Sequence, residues 1–214
     1  MRAPLAGLAC VLLLAGCGGG DDSATTEAVQ TSAGGCTPAQ APEPREPEPR
    51  EAPKTQTTAS DAVVTTNCGT FTIRLDPKRS PHAVASFEAL VKDGYFDDTV
   101  FHRIVPGFVI QGGDPTQTGS GDPGYKTVDV PKADAAYTKG VVAMAKTADE
   151  PAGTSGSQFF VVTGDDVGLP PEYAVVGTVT QGMDVVERID KLGDPATEQP
   201  LQPVVIHSVT ASSS

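Results

Sequence analysis

The chain has 214 residues, of which 38% are apolar, with 23 glycines, 19 prolines and a formal charge of -12 at pH 7. This length suits one compact domain with extensions. From Asp61 onward there are 11 basic and 20 acidic residues, with no basic patch or basic-aromatic run, which argues against nucleic acid as a partner.

The N-terminus has the pattern of a targeting signal. Arg2 supplies a positive start, and the apolar stretch Leu5–Ala15 is too short to span a bilayer as a mature helix. The stretch runs into Leu-Ala-Gly-Cys at Cys17, which resembles the lipobox of bacterial lipoproteins, where the peptide is cut before a cysteine that carries lipid. We therefore expect residues 1–16 to be a lipoprotein signal peptide. The protein would then lie in the cell envelope, anchored by acyl chains to the outer face of the plasma membrane or to the outer membrane. An ordinary signal peptide with a cysteine there by chance is the alternative.

Residues 17–60 are predicted to be a disordered tether. The segment is rich in Gly, Ser and Thr at first, and Pro38–Pro53 then alternates Pro with Glu and Arg. Such a composition lacks the apolar residues that would offset the entropy of ordering, and proline stiffens it toward an extended form. Its plain role is to hold the domain of residues 61–211 away from a membrane surface.

Two of the four cysteines remain after processing. Cys10 leaves with the signal and Cys17 would be lipidated, so Cys36 and Cys68 remain in an oxidising compartment. They can form a disulfide that ties the tether to the domain, or stay as free or intermolecular thiols. The sequence does not supply the geometry that decides between these outcomes.

The folded part begins with two strands and a helix. Val63-Val64 and Gly69–Leu75 read as strands joined at Asn67-Cys68-Gly69, a tight-turn composition. A helix follows from Ser80-Pro81, with Ser as N-cap and Pro at the first position, and Gly94 can end it. The spacing of four apolar residues gives the helix one buried face: Val84, Phe87, Leu90 and Val91.

Short apolar runs separated by turn-rich pieces make up most of the remaining chain. They are Val100–Val105, Phe108–Gln111, Gly140–Ala145, Gln158–Val162, Ala174–Val179 and Val204–Thr210. A second helix fits Met183–Leu192, between two glycines. Many short strands with two helices predict a mainly β barrel or sandwich rather than a βαβ fold.

One apparent nucleotide motif fails in context. Gly119–Gly124 matches G-x-G-x-x-G, but no strand precedes it and no helical period follows it. The three histidines lie far apart and show no metal-ligand spacing. No cofactor and no metal site are implied.

The residues between 101 and 160 suggest a peptide site. Arg103 is a permanent cation in an apolar strand, and it must either pair with an acid or face an open groove. Strand alternation places Val109 and Gln111 on the same face as Arg103, and it places Gln158 and Phe160 together on another strand. A cation, two amides and an apolar floor suit a peptide with an uncharged ring. This set has no nucleophile and no general-base pair, so a reaction without bond cleavage is the natural candidate.

The order and spacing of Phe101–Asp114 and Gly156–Phe160 closely resemble the central signature of the cyclophilin family of peptidyl-prolyl cis-trans isomerases. The resemblance extends over about residues 61–210. It implies a closed eight-stranded antiparallel β-barrel capped by two α-helices. It also implies an isomerase that accelerates X–Pro rotation and assists protein folding. Together with the N-terminal signal, this makes envelope or secreted polypeptides the expected substrates, and we expect the protein to be a monomer.

The resemblance also assigns roles to single residues. Arg103 resembles the catalytic arginine. The proline pocket would be formed by Phe108, Val109, Phe160 and Leu169, although strand parity alone points Phe108 away from Arg103. The remaining substrate contacts would come from Gln111, Gln158, Gly119, Ala145, Lys146, Thr147 and Tyr173. His102 is expected to be a structural hydrogen-bonding residue rather than an acid or base.

Three positions depart from the best-known family pattern. Val109 stands where Met is usual, Gly168 stands where an aromatic residue is usual, and Tyr173 stands where many relatives have His. The change at Gly168 predicts weak cyclosporin binding, whereas the Tyr173 phenol can still donate a hydrogen bond to a substrate carbonyl. A peptide-binding module with little turnover is the alternative to an isomerase, and the intact set of Arg103, Gln111 and Phe160 favours the isomerase.

Overall fold

The computed structural model describes residues 35–54 and 61–212. The helices are α1 (Pro81–Lys92) and α2 (Met183–Asp190). The strands are β1 (Asp61–Thr66), β2 (Gly69–Leu75), β3 (Thr99–Val100), β4 (Arg103–Val105), β5 (Val109–Gly112), β6 (Thr127–Val128), β7 (Val141–Met144), β8 (Thr154–Ser155), β9 (Phe159–Val162), β10 (Val175–Gln181) and β11 (Val205–Ser212). The prediction of a mainly β domain with two helices is confirmed.

Nine strands form one antiparallel sheet, the main sheet, in the order β3-β11-β1-β2-β10-β7-β9-β5-β4, and β6 pairs separately with β8. The two edge strands, β3 and β4, are joined by Phe101 and His102 alone, so the sheet must curl to bring its edges together. The predicted closed barrel of eight strands is wrong in both respects, because nine strands form a ladder that stays open between β3 and β4. The backbone N–H of Ile104 on β4 instead donates a hydrogen bond to the backbone carbonyl oxygen of Glu198, with an N–O distance of 2.8 Å.

Both helices lie where the sequence predicts them, but α1 begins with a different cap. Ser80 holds the N-cap position of α1 without a side-chain hydrogen bond, and Pro81 follows at the first helical position. The carboxylate of Asp129 accepts the Ala83 N–H at 2.7 Å, so a residue 46 positions away satisfies this end of the helix. The α2 helix ends at Asp190, two residues before the predicted end.

The main sheet is apolar on both faces near β7 and β9. Phe159 and Val161 face the interior cluster that also holds the α1 side chains, whereas Phe160 and Val162 belong to a second cluster on the other face. All four residues of β9 are buried, which explains why this strand reads as a continuous apolar run. The second cluster forms an apolar floor outside the sheet, and the candidate site lies there.

Residues 35–54 lie along the domain, and we call this segment the strap. A disulfide joins Cys36 to Cys68 in the β1–β2 turn, which is the pairing that the sequence left open. Farther along, the Arg45 N–H donates to Pro115 O at 3.0 Å, and the Arg50 N–H donates to Pro123 O at 2.9 Å.

Side chains reinforce this course of the strap. The Arg50 guanidinium lies 4.9 Å from the centroid of the Tyr95 ring and 3.5 Å from the Asp93 carboxylate. Arg45 donates to the carbonyl of Tyr95 at 2.7 Å. Over this part of the predicted tether the chain is therefore fixed to the domain, because the disulfide and two arginines supply contacts that composition alone does not indicate.

The other N-terminal predictions fall outside the structure. The signal peptide of residues 1–16 and the lipidation site Cys17 lie outside the described residues. Among residues 35–54 and 61–212, no helix has the length and apolar character needed to cross a membrane.

Candidate active site

Strand register creates a row of side chains across four strands of the main sheet. Arg103 on β4 lies opposite Gln111 on β5, Gln111 lies opposite Phe160 on β9, and Phe160 lies opposite Ala143 on β7. Directly opposed residues of antiparallel strands project to the same face. A cation, an amide and an aromatic ring therefore stand side by side, although they are up to 57 residues apart in sequence.

A cavity of about 320 Å³ lies above this row. We call it the larger cavity, because a smaller one adjoins it. It is lined by Arg103, Phe108, Val109, Gln111, Ala145, Lys146, Phe160, Leu169 and Tyr173. Every one of these residues is a sequence-predicted site residue. The floor is apolar and the rim carries the polar groups, which is the arrangement of a small-molecule or side-chain pocket.

Phe108 reaches the larger cavity because it is not part of a strand. It lies in the turn between β4 and β5, where its N–H donates to Val105 O at 3.0 Å. Gly107 in this turn has φ +71°, a left-handed conformation that glycine adopts easily. Strand alternation would direct Phe108 away from Arg103, but β5 begins only at Val109. Phe108 therefore does not follow the alternation.

A smaller cavity of about 100 Å³ adjoins the larger one and shares Gln111, Ala145 and Lys146 with it. Its lining includes the other predicted contact residues, Gly119, Thr147 and Gln158. All twelve residues that the sequence assigned to catalysis and substrate binding line one or both of these cavities. The continuous groove suits an extended chain longer than one residue.

The two amides of the site bind each other. Gln111 Nε2 donates to Gln158 Oε1 at 3.0 Å. Gln158 Nε2 in turn donates to the carbonyls of Gly119 at 2.8 Å and Gly121 at 3.1 Å. Gln158 therefore holds the loop that forms the wall of the smaller cavity, whereas Gln111 Oε1 accepts no hydrogen bond from the residues that the structure describes and can bind a ligand.

The same loop is anchored from below by Asp114, which is fully buried. Its carboxylate accepts hydrogen bonds from Thr116 N and Oγ1, both at 2.8 Å, from Gly119 N at 2.7 Å and from Gly121 N at 3.2 Å. Burial by itself would raise the pKa of Asp114, but these hydrogen bonds outweigh it and the pKa is lowered. Asp114 is therefore a carboxylate at pH 7, and it shapes the groove without entering it.

Arg103 lines the larger cavity and also makes an ion pair. Its Nε lies 2.8 Å from Glu198 Oε2, and its side chain is about a third exposed at 35%. The guanidinium is thus neither buried nor turned away from the groove. Glu198 lies 95 residues from Arg103, and no local sequence signal pointed to it.

Lys146 has a structural connection that the sequence did not suggest. Its ammonium lies 3.0 Å from the Glu172 carboxylate and 5.5 Å from the centroid of the Tyr173 ring, and its side chain is 3% exposed. It also donates to Glu150 O at 3.2 Å. Lys146 lines both cavities, and its ammonium contacts the Tyr173 ring and pairs with Glu172, the neighbour of Tyr173 in the chain.

Tyr173 packs at the rim of the larger cavity. Its ring meets Phe160 edge to face with centroids 5.5 Å apart, and it meets Tyr137 in the same manner at 5.9 Å. The buried Tyr137 hydroxyl donates to Tyr173 O at 2.7 Å and accepts from Tyr173 N at 2.9 Å. The phenol is consequently held on a rigid support next to the apolar floor.

His102 does not act as the predicted structural hydrogen-bonding residue. Both ring nitrogens are buried and have no hydrogen-bond partner within the described part of the chain. The pKa of His102 is lowered, chiefly because burial disfavours the charged ring. The ring is neutral at pH 7, so it adds no positive charge next to Arg103.

Comparison with known proteins identifies the family of the domain. The family model described as cyclophilin type peptidyl-prolyl cis-trans isomerase/CLD matches residues 62–211. A peptidyl-prolyl cis-trans isomerase-like 1 of Neurospora crassa is 40% identical over 149 residues, which cover 65% of this chain and 90% of that protein. The peptidyl-prolyl cis-trans isomerase A of Mycobacterium tuberculosis is 36% identical over 169 residues, which cover 71% of this chain and 91% of that protein.

A solved structure gives the same result. The crystal structure of a Cryptosporidium parvum cyclophilin type peptidyl-prolyl cis-trans isomerase in the presence of the dipeptide Ala-Pro aligns with a TM-score of 0.66 and 30% identity. The alignment covers 72% of this chain and 99% of that one. The strap lies outside the region that the family model matches.

Proposed function

Since this chain belongs to the cyclophilin-type peptidyl-prolyl cis-trans isomerase family, we propose that Arg103 and the larger cavity carry out its isomerase reaction. The protein is a peptidyl-prolyl cis-trans isomerase (EC 5.2.1.8). The observation that carries the proposal is an arginine at a cavity of about 320 Å³ whose lining also includes Phe108, Val109, Phe160 and Leu169. A proline ring would occupy the cavity, and the X–Pro bond would lie beside the guanidinium.

The physical task of the site is to lower a rotational barrier. Amide resonance gives a barrier of about 18–20 kcal/mol, and the free X–Pro bond rotates in tens to hundreds of seconds. In the rotated state the imide nitrogen regains a lone pair and becomes a hydrogen-bond acceptor. A donor fixed beside that nitrogen binds the transition state better than the planar ground state, and this difference is what accelerates the reaction.

One hydrogen bond does not supply the whole effect. An acceleration of about a millionfold requires roughly 8 kcal/mol, and one hydrogen bond to a charged group contributes about 1.5–3 kcal/mol. The apolar floor supports a further contribution, because it removes water from the amide and from Arg103. The free carbonyl oxygen of Gln111 and the phenol of Tyr173 would hold the peptide backbone on either side.

We further propose that the substrates are envelope or secreted polypeptides and that the protein assists their folding. The signal-like residues 1–16 and Cys17 support an outward address with a lipid anchor. The Cys36–Cys68 disulfide favours an oxidising compartment. A monomer is supported because the exposed large apolar side chains among the described residues are limited to Val128, Val130 and Leu201.

A chymotrypsin-coupled assay on a short X–Pro peptide tests the catalytic proposal. We expect Arg103→Ala to lower turnover at least tenfold without unfolding the domain. Arg74→Ala is the matched control, because Arg74 also pairs with an acid, Asp61, but lies on β2 outside both cavities. An Arg103→Ala variant that isomerises at the parent rate would contradict the mechanism. A parent protein that binds the peptide without accelerating rotation would identify a binding module.

The anchor has a separate test. If Cys17 carries lipid, Cys17→Ser moves the protein from the membrane fraction to the soluble fraction of the cell while the isomerase rate stays unchanged. Equal partition of the parent and the variant would contradict the lipid anchor and leave the assignment of the active site intact.

A further inference from the structure

We infer that Glu198 is a positioning residue for catalysis, which aims the Arg103 guanidinium at the substrate; this inference rests on the proposed role of Arg103. The carboxylate accepts the Arg103 Nε–H at 2.8 Å from a loop that lies between α2 and β11. It does not line either cavity. Its effect on the reaction would pass entirely through the arginine.

The backbone of Glu198 is held on both sides of the residue. Its carbonyl accepts the N–H of Ile104, the neighbour of Arg103, at 2.8 Å, and its own N–H donates to Asp194 O at 2.7 Å. Asp194 Oδ1 also accepts the Ala196 N–H at 2.8 Å, which closes the loop on itself. The carboxylate is therefore fixed relative to β4, the strand that carries the arginine.

Glu198 has a backbone conformation that side chains other than Gly, Asn and Asp rarely adopt. Its φ is +59°, in the left-handed region. Such conformations persist where the surrounding structure imposes them, and they are concentrated at functional sites. Here the conformation lets one residue give its carbonyl to Ile104 and its carboxylate to Arg103.

The pairing leaves the useful donors of the guanidinium free. Arginine has five N–H donors in a rigid plane, and Glu198 occupies Nε. Within the described residues, no other hydrogen bond from Arg103 accompanies this one. Because Arg103 lines the larger cavity, fixing Nε from behind restricts its rotamers and leaves the two Nη groups as donors for the imide nitrogen. A donor that is oriented before the substrate arrives needs no reorganisation during the reaction.

Variants of Glu198 distinguish the orientation of Arg103 from the effect of the carboxylate charge and from the effect of the loop conformation. We expect Glu198→Ala in the full chain to lower kcat about fivefold, equivalent to about 1 kcal/mol, with KM changed less than twofold. Glu198→Gln retains an oxygen acceptor at the same reach and should keep at least half of the parent kcat. Glu198→Asn suits the positive φ but is too short to reach Nε, so it should behave like Glu198→Ala.

Two controls define what overturns the inference. Glu187→Ala removes another partly exposed ion pair, with Lys139, and should leave kcat at the parent value. In an Arg103→Ala background, Glu198→Ala should have no further effect, because the residue acts through the arginine. A further fivefold loss in that background would indicate a general effect on the loop and would overturn the inference. A parent-like kcat for Glu198→Ala, with Arg103→Ala impaired, would also overturn it, whereas a parent-like Arg103→Ala would refute the proposed function itself.

Discussion

Breaking the Cys36–Cys68 disulfide is expected to lower the free energy of unfolding by roughly 4 kcal/mol. The bond closes a loop with a sequence separation of 32 residues, and both cysteines are buried. In the chain-entropy model, a cross-link over about 32 residues removes roughly 12 cal/mol/K of entropy from the unfolded chain, which gives the stated value at 25 °C. For a domain of this size, the melting temperature should fall by roughly 8–16 °C.

The measurement compares thermal and urea unfolding of the full chain with and without a reducing agent. The Cys36→Ser/Cys68→Ser variant is the matched control, since it should melt at the temperature of the reduced parent and should not respond to the reductant. Cys10 and Cys17 are present in both proteins wherever the parent retains them, so any effect of reductant on those thiols appears equally in the control.

A reduced protein that melts within about 2 °C of the oxidised one would refute this reasoning. That result would mean that contacts other than the disulfide already restrict the strap in the unfolded chain, so that closing the loop removes little entropy. A reductant effect that persists in the double variant would show that the destabilisation does not come from this bond.

Three further changes have expected outcomes. Gly113 has φ +86°, and a Cβ there would lie 2.7 Å from the carbonyl oxygen of Ser157, so Gly113→Ala should destabilise the domain by about 2 kcal/mol or more in urea unfolding; an unchanged midpoint would contradict this. The pKa of Asp114 is lowered by folding, so its contribution is fully present above the unfolded value near 3.8 and is lost as pH falls through the folded pKa. Asp114→Asn should therefore flatten the acid limb of stability against pH, and an identical limb would exclude this carboxylate as its source. Tyr173→Phe keeps the ring contact with Phe160 and removes the hydroxyl, so kcat/KM should fall about threefold to tenfold at an unchanged melting temperature; full activity would remove the phenol from the mechanism.

Local chemistry was sufficient to predict both helices and the longer strands, but it read β3 and β4 as the single run Val100–Val105 and did not predict β6 or β8. The alternating burial of β1 and the apolar run of β9 follow directly from their residues, and both helices lie close to their predicted bounds. The predicted isomerase activity is confirmed by the comparisons. The part of its signature that holds Arg103 and Gln111 falls within one hairpin. Register inside a hairpin can be read from a sequence because few residues separate the partners.

Contacts between residues far apart in the sequence were not predicted. Asp129 caps α1 in place of the Ser80 side chain, and the strap lies on the domain although its composition predicts a free tether. The open ladder has the same origin, because Glu198 takes the edge N–H of β4 that a closed barrel would have paired. Each of these outcomes depends on which distant group lies within hydrogen-bond reach of an unsatisfied donor in the folded chain, and local residue patterns do not specify that.

The amino-acid sequence by itself therefore determined the fold class and the reaction, and its resemblance to the family named the side chains around the groove, because period, turn chemistry and short signature segments are local properties. Only the tertiary structure decided how those side chains are held. It decided that Gln158 holds the loop of Gly119, that Lys146 supports Tyr173 and that Glu198 holds Arg103. The physical reason is that hydrogen bonds and ion pairs act over about 3 Å in space, and chain folding brings together groups that lie tens of residues apart.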